Sequence, residues 1–140
     1  MTAWRDKARL EISSIKPTWA ERFGWEPLLR EKEGAIDLYV HLRRHASTEG
    51  LARAYVLRLR YESDFETAGR GEAFVNPEKW EEEGPQYWPA GVRGFNPSRT
   101  PPAICLEGTR GFHSDLHRER DGRRANLNRL LLALQRCIDE

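Results

Sequence analysis

Two runs of alternating side chains constrain the fold of this chain more than any other feature. From Ile36 the apolar residues Ile36, Leu38, Val40 and Leu42 fall at every second position, with Asp37, Tyr39, His41 and Arg43 between them. A period of two belongs to a β-strand, whose successive side chains point to opposite faces, so this run predicts a half-buried strand. A second alternation follows, Tyr55, Leu57, Leu59 and Tyr61 against Val56, Arg58 and Arg60. The polar stretch Ser47-Thr48-Glu49-Gly50 lies between the two runs, which together predict an antiparallel hairpin. A third short run, Glu72-Ala73-Phe74-Val75, ends at Asn76-Pro77, where proline is tolerated because the strand stops there. Three successive strands predict a meander.

A sheet with an apolar face needs a cover, and both ends of the chain offer one. Trp4, Ala8, Ile12 and Ile15 are spaced by four, four and three, which predicts a helix over residues 3–15, with Pro17 unable to continue it. Leu127, Leu130, Leu131, Leu134 and Ile138 form the stripe of a strongly amphipathic helix, with Arg129, Gln135 and Arg136 on its other face; this helix should lie across the sheet. Residues 18–33 mix Trp19, Phe23, Trp25, Leu28 and Leu29 with charges and Pro27, a pattern that fits a short second helix or an irregular packing segment. The reading is an α+β fold in a single domain over residues 1–140, with an N-terminal helix, an antiparallel β-meander of three to four strands, a long loop and a C-terminal helix. Charged residues make up 32% of the chain, yet five Trp, five Phe and four Tyr supply the bulky apolar surface that disordered chains lack.

Charge and hydropathy exclude several classes of partner. With 23 basic against 22 acidic residues the net charge is +1, which leaves no global footprint for nucleic acid or for an anionic membrane; partners have to be recognised by a local patch. No apolar run approaches the roughly 20 residues of a membrane helix, and Met1-Thr2-Ala3-Trp4-Arg5-Asp6 lacks the apolar stretch of a signal peptide, so the expected location is cytoplasmic. Two cysteines, Cys105 and Cys137, are too few for a disulfide framework and are read as free thiols.

Residues 76–105 hold six of the eight prolines and the aromatics Trp80, Tyr87, Trp88 and Phe95, without regular periodicity. A loop of that length is usually functional. At its end stands Cys105, in Pro101-Pro102-Ala103-Ile104-Cys105-Leu106-Glu107-Gly108, with His113 and His117 downstream. A cysteine between Ile and Leu is often inert core, but the rigid Pro-Pro approach and the polar turn Glu107-Gly108-Thr109-Arg110-Gly111 argue for a surface position. A thiol with an ordinary pKa needs a base, a cation or a helix start to act as a nucleophile, and Arg99, Arg110 and His113 are the candidates. His113 and His117 are four apart and share a face if their segment is helical, so either is a candidate proton acceptor. Asn96, in Phe95-Asn96-Pro97, carries an amide able to stabilise an oxyanion, although Asn before Pro is also an ordinary turn former. A zinc site from Cys105, His113 and His117, with Cys137, His41 or solvent as fourth ligand, is a further alternative, weakened by the lack of any Cys-x-x-Cys pair. Cys137 sits beside the apolar stripe of the last helix and reads as structural. The arginine-rich stretch 118–129, with Asn126 and Asn128, is interrupted by Glu119 and Asp121 and reads as a solvated helix start rather than a phosphate site.

Taken together, the hairpin, the strand ending in Phe74-Val75-Asn76-Pro77, the loop with Tyr87-Trp88-Pro89, the Ala103-Ile104-Cys105-Leu106 segment and the Leu-rich last helix resemble the ubiquitin-conjugating enzyme family, more closely its small bacterial relatives in defence operons. The resemblance implies that Cys105 carries a ubiquitin-like protein as a thioester and hands it to an amine on an acceptor protein, that an activating-type enzyme loads it, and that no cofactor is needed. It implies bacterial antiviral defence as the setting and a crossover role for the last helix. The family's His-Pro-Asn motif is matched here only by Phe95-Asn96-Pro97, which leaves its role to Asn96 or to His113. One helix follows the cysteine in this sequence, so the family's two further C-terminal helices are expected to be absent, which is similar to the bacterial relatives. The rival reading is a catalytically inactive relative that binds a ubiquitin-like protein or a defence partner.

Overall fold

The computed structural model describes residues 3–44, 54–89, 95–98, 102–112 and 126–139. Two helices, α1 (Ala3–Ser13) and α2 (Pro17–Phe23), lead into four strands, β1 (Leu28–Lys32), β2 (Ala35–Arg43), β3 (Ala54–Tyr61) and β4 (Gly71–Val75), with the short α3 (Phe65–Ala68) before the last of them. The strands form one antiparallel sheet in the order β1-β2-β3-β4. A two-stranded ribbon, β5 (Phe95–Asn96) and β6 (Ala103–Ile104), precedes α4 (Leu127–Asp139). No described helix is long and apolar enough to cross a membrane.

The predicted hairpin forms with Ile36 opposite Tyr61, Leu38 opposite Leu59, Val40 opposite Leu57 and Leu42 opposite Tyr55. That register puts the apolar residues of both runs on one face, and a slip by one residue would turn them all to the other. Ala8 and Ile12 of α1 join this face in one core with Leu127, Leu130, Leu131, Leu134 and Ile138 of α4. Burying each such aliphatic side chain contributes about 1.5–3 kcal/mol, so the α4 stripe alone rivals the net stability of a small domain.

Residues 18–33 prove to be a helix and then a strand. Pro17 stands in the first turn of α2, where its missing N–H has no intrahelical partner to lose. Gly24 ends the helix in the left-handed region at φ 69°. β1 then pairs with β2 from Leu28 opposite Tyr39 to Lys32 opposite Ala35, across the Glu33-Gly34 turn. Its sequence, Leu-Leu-Arg-Glu-Lys, has no alternation because it is an edge strand exposed along most of its length; pairing with β2 makes it a strand.

β2 was expected to be half-buried, and it is buried on both faces. On the outer face Tyr39, Val56 and Val75 form a second apolar cluster under Trp80, whose ring meets Tyr39 edge-on at 4.5 Å. The Arg30 guanidinium lies 5.1 Å from the Trp80 ring centroid. Asp37 is fully buried beside this cluster and accepts both arms of the Arg60 fork, at 2.8 and 3.0 Å, with the Lys32 ammonium at 3.3 Å. Burial pushes the Asp37 carboxyl up, but Arg60 and Lys32 outweigh it and hold the group below the ordinary aspartate value.

Two polar residues of α4 also depart from the helical-wheel reading. Gln135 is 1% exposed: its Oε1 accepts the Trp25 indole N–H at 3.1 Å, and its Nε2 donates to the Arg43 carbonyl at 2.7 Å. Asn128 accepts the Lys16 N–H at 3.0 Å and donates to the Ser14 carbonyl at 2.9 Å, so it ties the start of α4 to the junction of α1 and α2. Asn126 caps α4 through the Asn128 N–H at 2.8 Å.

Trp25→Phe removes the donor to Gln135 and leaves a buried acceptor unpaired; urea denaturation is expected to show a loss of about 1–3 kcal/mol. For Asp37 the folded pKa lies below the unfolded one, so the stability it supplies is present above the unfolded value of about 4 and is lost as pH falls through the folded value. Urea stability followed from pH 6 to pH 2 is expected to fall less steeply on the acid side for Asp37→Asn than for the parent chain. Equal slopes would mean that another carboxylate dominates.

Candidate active site

Cys105 is exposed while the residues on either side of it are held inward. Ile104 is 1% exposed within the main core, and Leu106 packs against the same core. With Ile104 buried and Leu106 partly buried against the core, the sulfur between them is left outward. The approach is the ribbon, in which Phe95 stands opposite Ile104 and Asn96 opposite Ala103. Phe95 is anchored edge-on against Phe74 at 5.2 Å and Trp88 at 5.9 Å.

Behind Cys105 the chain turns back into the protein. The polar turn that argued for a surface position delivers an exposed thiol, but Gly108 and Thr109 are themselves buried. The Thr109 hydroxyl faces the Ile104 carbonyl at 2.6 Å and the Leu106 carbonyl at 3.1 Å, and it accepts the Phe112 N–H at 3.3 Å. These contacts close a tight loop around the cysteine. The loop then docks on the edge of the sheet: Arg70 N–H donates to the Gly108 carbonyl at 2.9 Å, and Arg110 N–H donates to the Arg70 carbonyl at 2.7 Å. The Arg70 side chain, 2% exposed, donates to the same Gly108 carbonyl at 3.0 Å, to the Tyr61 hydroxyl at 3.2 Å and to the Glu11 carboxylate of α1. Burial pushes the Tyr61 phenol well above its ordinary pKa, so Arg70 has a neutral acceptor on that side.

Glu72 braces the same loop from β4. Its Oε2 accepts the Ile104 N–H at 3.0 Å, and both its oxygens accept the Gly111 N–H at 3.2 Å. Burial pushes its carboxyl above the ordinary glutamate value against the pull of these amides. Sequence reading overlooked Arg70, Glu72 and Thr109. The signal for Glu72 was present: it shares the inward parity of Phe74, and an acid at a core-facing strand position needs donors to hold it.

Asn96 is exposed, and its Oδ1 accepts from the Ser98 N–H at 3.1 Å and the Ser98 hydroxyl at 2.6 Å. Its Nδ2 group makes no hydrogen bond among the described residues, and the ribbon pairs Asn96 with Ala103, two residues before Cys105. Arg110 is turned away from the thiol towards Asp64, at 2.7 Å, and Glu62, at 3.5 Å. Arg99, His113 and His117 lie outside the described residues. Cys137 is buried on α4, as its sequence context predicts, and His41 stacks edge-on with Trp80 beside Glu26. No group of three or more His, Cys, Asp or Glu side chains able to hold a metal ion occurs among the described residues. A cleft of about 270 Å3 opens next to β6, with Glu72, Phe74, Glu82, Trp88, Phe95 and Ile104 among its walls. The chemistry within reach is that of an outward thiol on a braced loop, with the Asn96 amide on the paired strand of the ribbon that leads to it.

The docking of the loop on the sheet edge leaves no room at Gly69, where φ is 84° and a Cβ would stand 2.6 Å from the Thr109 carbonyl oxygen. Gly34 is also left-handed, at φ 76°, but has open space around it. Gly34→Ala is expected to cost about 1 kcal/mol from backbone strain alone. Gly69→Ala is expected to cost more, about 2–4 kcal/mol, since the Thr109 carbonyl must also move. Paired thermal melts check this, and equal losses would contradict the close approach.

Comparison of the chain with protein-family models, curated proteins and solved structures finds no match, so the chemistry of this site is read from its own residues.

Proposed function

We propose that the protein is a conjugating enzyme of the ubiquitin-conjugating type, which carries the C-terminal acyl group of a ubiquitin-like protein as a thioester on Cys105 and passes it to an amine. The observation that carries this reading is the outward sulfur between a buried Ile104 and a partly buried Leu106, on a loop braced from the sheet. A cysteine kept only for packing has no reason to be exposed, and a binding-only domain has no need to present its thiol. The α1, antiparallel meander and α4 arrangement supports the same reading, because it is the order of elements that the sequence resemblance implies.

In the proposed reaction an activating-type enzyme presents the modifier as an activated acyl group. The Cys105 thiolate attacks the acyl carbonyl, a tetrahedral oxyanion forms, and the activating enzyme's leaving group departs with the electron pair of the broken bond. The acceptor amine then attacks the new thioester. The C–S bond breaks, Cys105 leaves as thiolate, and the amine proton passes to a base. Asn96 Nδ2 is the candidate donor to the oxyanion, and His113 is the candidate base. Sulfur suits the task because a thioester stores the activation and remains open to aminolysis. A cytoplasmic site of action and a role in bacterial antiviral defence belong to this proposal, as does the acceptor being a protein.

In a reaction reconstituted with its activating enzyme, modifier and ATP, the parent chain is expected to form an adduct that thiol reductant removes. Cys105→Ser should form an ester that resists reductant and yields to alkali, while Cys105→Ala should form none. Asn96→Ala should load normally and discharge to free lysine about a hundredfold more slowly, the usual effect of losing an oxyanion donor. Conjugation that survives in Cys105→Ala would end the proposal.

A further inference from the structure

Glu72 occupies an unusual place for a carboxylate. Leu59 is its cross-strand partner and Phe74 its neighbour on the same face, so the strand parity directs it to the core side of β4. No cation bridges it among the described residues. Its nearest partners are the backbone N–H groups of Ile104, at 3.0 Å, and Gly111, at 3.2 Å from each oxygen, with the Thr109 hydroxyl as a further, weaker donor. These two amides stand on either side of Cys105, one residue before it and six after. Nothing but a glycine fits at the far end of this contact: a Cβ on Gly111 would come within 2.7 Å of both Glu72 Oε2 and the Ala103 Cβ.

We propose that Glu72 is the positioning residue of Cys105: its carboxylate gathers the two ends of the 104–111 loop onto the edge strand, so that the thiol between them is held outward at a fixed place. The purpose of this arrangement rests on the thioester reading of Cys105; the geometry does not. A carboxylate suits the task because it presents acceptors only, and both amides present donors. A glutamine in the same place would turn an NH2 group towards the Gly111 N–H, donor against donor. Protonation has the same effect, since one oxygen then carries a hydrogen. Burial has already pushed the carboxyl above its ordinary value, so acidification opens the clamp at a pH where the chain can still be studied. Among the described residues, the other charged groups near it are Arg110 on the loop, Glu82 in the wall of the same cleft and Arg70 two residues earlier on the sheet edge.

The test uses the whole chain and two readouts. The amide chemical shifts of Ile104 and Gly111, followed by NMR, are expected to titrate together with a single midpoint above the ordinary glutamate value, and Glu72→Gln should make both flat. The reaction of Cys105 with 2,2′-dipyridyl disulfide, in which the thiolate displaces thiopyridone and forms a mixed disulfide, remains measurable in acid. Its rate should show a step of about fivefold at the same midpoint, the factor that one hydrogen bond is worth. The step should vanish in Glu72→Gln and in Gly111→Ala, and persist in Asp64→Asn, which weakens the loop elsewhere by releasing Arg110. If Glu72→Gln does not fold, the parent titration and Gly111→Ala decide. Amides that stay flat in the parent chain, or a step that survives in the variants, overturn the proposal. A step that is present while Cys105 takes up no acyl group would sink the conjugation reading and leave the positioning role standing.

Discussion

A guanidinium cannot be buried without partners, and the organisation of this molecule follows from how Arg70 meets that demand. With 2% of its surface exposed, Arg70 draws its acceptors from three distant stretches: Glu11 on α1, Tyr61 at the end of β3 and Gly108 in the cysteine loop. Its backbone N–H and C=O meanwhile extend the sheet edge onto Gly108 and Arg110. One residue thus fixes where the first helix meets the sheet and where the loop behind Cys105 returns to it. Breaking any one of these contacts would leave a buried charge short of an acceptor, so the three stretches stand or fall together.

The parts of the fold that announce themselves in the sequence are those whose burial is one-sided. α1, β3 and α4 each carry an apolar stripe at the period of their own geometry, and their positions follow from it. The parts that escaped obey tertiary rules. β1 is a strand because β2 pairs with it, not because its residues alternate. β2 is buried on both sides because Trp80, forty residues away from it in sequence and held in the left-handed region at φ 63°, covers Tyr39. Gln135 and Asn128 look like solvent-facing residues on a helical wheel, but each satisfies backbone or indole groups that packing has removed from water.

The site shows the same division. The Pro-Pro approach and the polar turn after it made Cys105 legible as a surface residue, against its Ile and Leu neighbours, which by themselves read as core. Asn96 was legible only as a type of residue near the cysteine in sequence; the β5–β6 register sets it opposite Ala103, two residues before the cysteine. The residues that shape the loop, Arg70, Glu72 and Thr109, are separated from their partners by a chain reversal that composition and spacing do not encode. A glutamate at an inward position of β4 is the one local sign of them.

Asn128 holds a Lys16 amide and a Ser14 carbonyl that lie 112 and 114 residues earlier in the chain. The sheet can pair as soon as β4 has been made, but its inner face lacks the Leu127, Leu130, Leu131, Leu134 and Ile138 stripe until α4 arrives. During synthesis on the ribosome the core therefore stays open almost to the last residue described, with Leu38, Val40 and Trp25 lacking their cover. Folding of this domain is therefore completed only once α4 can join, and its partly made form is the state most in need of protection from aggregation.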